Sequence, residues 1–128
     1  LLAEVAQIAA AFVWVALYSY LIAPGQPVAA YHAYAQLSGP WVSIVAGFPV
    51  FFAVSYRLAR NVSTGVVMFL VFFAIDGGIL LATTSDATPV PWGLAAVSYA
   101  TKLIACVIGG WLADRRRALQ SARLAASV

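Results

Sequence analysis

Four runs of mostly apolar residues, each close to the thickness of a bilayer, constrain this chain more than any other feature. A helix needs about 20 such residues to cross a hydrocarbon core about 30 Å deep. The runs lie at 2–22, 41–56, 64–82 and 92–113. The second is short, and Arg57 at its end extends it by snorkelling. None alternates with a period of two, which argues against an outer-membrane barrel. Composition points the same way: of 128 residues, 64% are hydrophobic and 9% charged, where a soluble domain carries about 25% charged residues. A soluble fold of this length cannot hide so much apolar surface. The expected fold class is therefore all-α, an integral membrane four-helix bundle built from two hairpins, with the lipid bilayer as its main partner.

Proline and glycine mark the breaks. Ala23-Pro24-Gly25-Gln26-Pro27 ends the first run, Ser38-Gly39-Pro40 opens the second, and Thr88-Pro89-Val90-Pro91 opens the fourth. Proline suits a first helical turn, where its missing N–H would be unpaired anyway. Residues 27–37 read as a short helix within the first outer loop. Val28, Tyr31, Tyr34 and Leu37 recur there at spacings of three, a face suited to the headgroup region. His32 and Gln36 fall four apart on its wetter side and are a candidate outer mouth. Pro49 lies inside the second run and cannot donate to the Val45 carbonyl, which predicts a kink.

Charge placement gives an orientation. Arg57 and Arg60 lie between the second and third runs, and Arg115, Arg116, Arg117 and Arg123 follow the fourth. The other two connections hold neither Lys nor Arg. By the positive-inside rule, both termini and the 57–63 connection are expected on the cytoplasmic side of a plasma (inner) membrane. The first run lacks a basic leader and contains Glu4 and Gln7, so it reads as a span rather than a cleaved signal. With no initiator Met, a few residues are expected to precede Leu1. The tail 114–128 reads as a helical continuation that lies against the interface or anchors the span. A weak internal parallel repeat is also visible, with Pro40-Trp41 opening one half and Pro91-Trp92 the other.

Several chemistries are excluded. Cys106 is the only cysteine and His32 the only histidine, so neither a disulfide nor a metal-ligand set follows from the spacing. No basic stripe interleaves with aromatics, which sets nucleic acid aside. No aspartate pair, HExxH, Gly-x-Ser-x-Gly or cysteine pair suggests an enzyme, and no cofactor or catalytic residue is expected.

The informative residues are the polar ones inside the runs. A charge near the bilayer centre costs about 2.5–3.5 kcal/mol or more, so it faces the bundle interior and has a partner or a task. Asp76 falls roughly 9 Å from the outer end of its run, and Lys102 roughly 15 Å from the same side. They are expected to pair across adjacent helices and form an intramembrane polar site. Glu4 and Gln7, with Ala11, Trp14 and Tyr18, form one inward face of the first helix, with Glu4 near the cytoplasmic rim. Ser43 with Gly47, and Gly109 with Gly110, permit close helix approach. Gly77 and Gly78 soften the third run beside Asp76. Two functions fit: a small transporter or channel component acting as a homo-oligomer, or a non-catalytic subunit of a larger membrane complex.

Overall fold

A computed structural model describes residues 2–83 and 92–126, except the side chains of Leu2, Glu4 and Thr83. The 83–91 connection, including Thr88-Pro89-Val90-Pro91, thus falls almost wholly outside the described residues. Among the described residues there are four helices: α1 (Leu2–Leu17, continued by a π-turn Tyr18–Ile22), α2 (Val28–Leu58), α3 (Val62–Thr83) and α4 (Trp92–Ala125). All four are long and apolar enough to cross a membrane.

The largest departure from expectation is α2. It runs unbroken for 31 residues through both Pro40 and Pro49, about 46 Å at 1.5 Å per residue. The short helix expected at 27–37 and the span expected at 41–56 are one element. Pro27 stands just ahead of it as the cap rather than within its first turn. Each internal proline removes one backbone hydrogen bond, but packing against a neighbouring helix can hold a membrane helix together regardless. Here that support comes from α1. The Tyr18 and Tyr34 rings stack with centroids 3.5 Å apart, and Trp14 Nε1 donates to Tyr34 Oη at 3.0 Å. Tyr31 secures the turn between them: its hydroxyl donates to the Ala23 carbonyl at 2.8 Å and accepts from Gln26 N–H at 3.0 Å. Gly25 supplies the left-handed residue, with φ of 78°.

The other connection is short. Only 59–61 separate α2 from α3, which forces an antiparallel pair. Asn61 caps α3 by accepting from both Thr64 N–H and Thr64 Oγ1 at 2.9 Å, meeting a donor the first helical turn leaves unpaired. At the far end, α4 continues through the basic tail as expected.

The helices pack in the spatial order α1, α2, α4, α3, and the α2–α4 face is the most extensive. α2 and α4 run parallel, since Ser43, Gly47 and Ser55 meet successively later residues of α4: Ser98, Lys102 and Cys106. Duplicated halves would lie this way. Yet Pro40-Trp41 sits within α2 whereas Trp92 begins α4, so the repeat fails at its most similar residues.

One end of this bundle is much tighter than the other. Toward the arginine-bearing end, a Cβ on Gly65 would stand 2.5 Å from the Cys106 carbonyl oxygen, and one on Gly109 2.8 Å from that of Phe52. Gly110 lies as close to the backbone of Asn61. Ser55 Oγ donates to the Cys106 carbonyl at 2.8 Å, and Ala59, Ala105 and Ala113 are buried nearby. Small side chains bring the backbones into contact, the usual means of gaining packing energy where lipid offers no hydrophobic drive between helices. Toward the Trp92 end the seam widens: around Gly39, Gly77, Gly78 and Gly93 an added Cβ would meet nothing within 4 Å.

Candidate intramembrane polar site

Where the glycine seam ends, all four helices converge on Lys102. This residue lies ten positions into α4, about 15 Å from Trp92, and is 1% exposed. Its Nζ donates to Ser43 Oγ of α2 at 2.9 Å. Gln7 of α1, 8% exposed, donates through Nε2 to the same oxygen at 3.0 Å. Ser98, one turn before Lys102 on α4, places its Oγ 3.0 Å from that of Ser43. A hydroxyl has two lone pairs and one hydrogen. Lys102 and Gln7 occupy the lone pairs, so the Ser43 hydrogen points to Ser98. Gly47 makes room: a Cβ there would stand 2.8 Å from Lys102 Cε and 3.2 Å from Gln7 Oε1.

Aromatic rings also surround the ammonium. Nζ lies 4.7 Å from the Phe72 ring centroid, 5.7 Å from Phe51 and 5.8 Å from Tyr99. Each ring presents a negative face, attractive to a cation and stronger when water is excluded. Phe51 and Phe72 meet edge to face with centroids 4.6 Å apart, forming a floor beneath the lysine that joins α2 to α3.

Asp76 reaches the same place by a different route. It is held through Tyr99, whose hydroxyl donates to Asp76 Oδ2 at 2.6 Å. That short, charge-assisted bond satisfies the carboxylate at modest cost, and the Tyr99 ring faces Lys102 from one turn earlier on α4. Carboxylate and ammonium share a cavity of about 210 Å³ between α2, α3 and α4, lined also by Ser43, Ser98, Leu80 and Leu94. It has room for several waters or a small solute, with opposite charges on its walls.

Other expected residues are distributed differently. Gln7 lies level with Lys102, sharing Ser43 with it. The side chain of Glu4, one turn earlier, is outside the described residues. The expected inward face of α1 does pack on α2, through Gln7, Trp14 and Tyr18. His32 and Gln36 are exposed on the first turns of α2. His32 lines a separate apolar groove between α1 and α2 with Ile8, Phe12 and Val15, and neither residue lines the cavity beside Lys102. Gly39, Pro40, Leu80 and Leu94 line that cavity. Pro49 is exposed on α2, away from the polar cluster.

Sequence reading missed Ser43 as the shared acceptor and Tyr99 as the partner of Asp76. Tyr99 lies three residues before Lys102, a spacing that places both on one helical face. Among the described residues, one buried side-chain atom is left over: Gln7 Oε1 finds no hydrogen-bond donor. Among the described residues, no cluster of His, Cys, Asp and Glu can hold a metal ion. Comparison with family models, curated proteins and solved structures returns no match.

Proposed function

We propose that this chain is a small transporter or channel component whose solute or ion site is the cavity between Asp76 and Lys102. It resides in a plasma (inner) membrane with both termini cytoplasmic, and it acts as a homo-oligomer. One observation carries the reading: a fully buried lysine, approached from all four helices, beside a polar cavity that also bears a carboxylate. A buried ion is costly, and apolar residues of similar size pack helices at least as well. Retaining such a residue at the bundle centre favours a role beyond packing. The arginine asymmetry supports this orientation, which puts the cavity toward the outer side. Four helices enclose little space, which favours a site completed or flanked by a second copy.

Reconstitution tests this directly. Purified protein in liposomes is adsorbed on a solid-supported membrane and challenged with protons, alkali ions, ammonium, carboxylates and amino acids in turn. The expected result is a transient current for at least one class, lost in Asp76→Asn at unchanged folded mass. Silence toward every class, or currents unaffected by Asp76→Asn, would refute the proposal. The second reading, a subunit of a larger complex, draws on an apolar groove of about 680 Å³ between α1 and α2, walled by Trp14, Leu17, Tyr34 and Trp41. Mass measurement in detergent separates the two: a homo-oligomer favours transport, and co-purifying chains favour the subunit.

A further inference from the structure

A second site lies at the opposite end of the bundle and shares no residue with the first. Beyond Ala113 the helix α4 continues for twelve residues to Ala125, about 18 Å at 1.5 Å per residue, and residues 114–125 are all exposed. Leu112, Arg115, Arg116, Leu119, Gln120 and Arg123 recur at spacings of three and four, so they form a single face. This face looks onto the last turns of α2. With Phe52 and Tyr56 it encloses a groove of about 590 Å³. Arg116 Cζ lies 5.9 Å from the Tyr56 ring centroid, and Arg115 Cζ 4.5 Å from that of Trp111. Aromatic faces thus hold two guanidinium groups at the groove.

We infer that this groove binds one anionic phospholipid, its headgroup phosphate among Arg115, Arg116 and Arg123 and an acyl chain along Phe52, Tyr56 and Leu112. Charge complementarity selects the occupant. Six of the seven Lys and Arg residues lie at this end, and the groove itself contains three arginines and no acidic residue. Arginine binds phosphate through paired N–H groups in a way that lysine does not. The apolar wall excludes a free phosphate as the better fit, because Phe52, Tyr56, Leu112 and Leu119 offer it nothing. The position is also right: Trp111 and Tyr56 are residues of the membrane–water boundary, and the arginines follow immediately, as in segments that attract acidic lipid.

Native mass spectrometry of the detergent-purified protein provides the test, with phosphatidylglycerol and phosphatidylcholine of identical acyl chains. Wild type should retain a single phosphatidylglycerol and bind phosphatidylcholine at least tenfold more weakly. Arg116→Gln/Arg123→Gln should weaken phosphatidylglycerol binding about thirtyfold, at roughly fivefold for each arginine. Arg57→Gln/Arg117→Gln removes the same charge outside the groove and should change binding less than threefold. All four arginines are exposed, and unchanged far-UV circular dichroism will verify the fold. Equal losses in the two double variants would mean diffuse electrostatics and overturn the site. So would equal retention of phosphatidylcholine, or displacement of the lipid by millimolar inorganic phosphate.

Discussion

Adding one methyl group at Gly65 should separate α3 from α4, and its effect can be worked out from the packing. A Cβ at this position would lie 2.5 Å from the Cys106 carbonyl oxygen and 3.1 Å from Ser55 Oγ. Carbon and carbonyl oxygen rest at about 3.3–3.6 Å even in close interhelical contacts, so the helices must part locally by roughly 1 Å. The Cys106 oxygen cannot retreat freely, since it is tied to Ser55 Oγ, which the added Cβ also crowds. Overpacking of this kind costs about 1–3 kcal/mol, and the better helix propensity of alanine returns at most about 1 kcal/mol. Gly65→Ala should therefore destabilise the fold by about 1–2 kcal/mol. Gly77→Ala, on the same helix, is the control: nothing lies within 4 Å of its added Cβ, so it should be neutral or stabilise by up to about 1 kcal/mol. The pair should differ by about 1–3 kcal/mol, roughly 5-fold to 150-fold in the unfolding constant. Unfolding in mixed micelles on titration with dodecyl sulfate, followed by circular dichroism, measures the difference. A Gly65→Ala protein as stable as Gly77→Ala would refute the close approach of α3 and α4 at this point.

The polar cluster makes two further predictions. Ser43→Ala removes the acceptor shared by Lys102 and Gln7 and should cost about 1–3 kcal/mol. Gln7→Leu removes one bond together with the unsatisfied Oε1 and should stay within about 1 kcal/mol of wild type; the same dodecyl sulfate titration ranks the two. Tyr99→Phe keeps the ring against Lys102 but removes the 2.6 Å bond to Asp76. Its folded yield should match wild type while solute-driven current falls, and an unchanged current would remove Tyr99 from the site.

Legibility of the fold in the sequence followed the scale of the signal. Twenty apolar residues are a strong local statement, and α1, α3 and the start of α4 begin and end close to where the apolar runs do. Pro40 misled because proline is a local breaker, while α2 is held by a non-local partner: Tyr34 stacks on Tyr18, and only tertiary contact reveals that support. The site shows the same division. Asp76 and Lys102 stand out in the sequence because ions are rare in apolar runs. Ser43 and Tyr99 do not, because serine and tyrosine are common in membrane helices and gain meaning only from what they touch. The contact of Gln7 with Ser43 was hidden for a further reason. It depends on how far α1 slides along α2, and no residue in either helix encodes that register by itself.

The contrast between the two ends of the bundle bears on how the proposed site would work. Past Lys102 toward the arginine end, Gly65, Ser55 and Gly109 press the backbones together, leaving no width for a solute between α2 and α4. The one weak boundary is the aromatic floor. Phe51 and Phe72 separate the polar cavity from an apolar groove of about 270 Å³ between α2 and α3, which Val54, Met68 and Val71 also line. α2 and α3 have little contact beyond this ring pair, so parting the rings does not require breaking the glycine seam. On the proposed reading, a solute enters from the Trp92 side, meets Asp76 and Lys102, and leaves only when Phe51 and Phe72 separate. The same rings stabilise the ammonium, so opening the floor and exposing the charge are one event. On that reading, passage is coupled to the electrostatic state of Lys102.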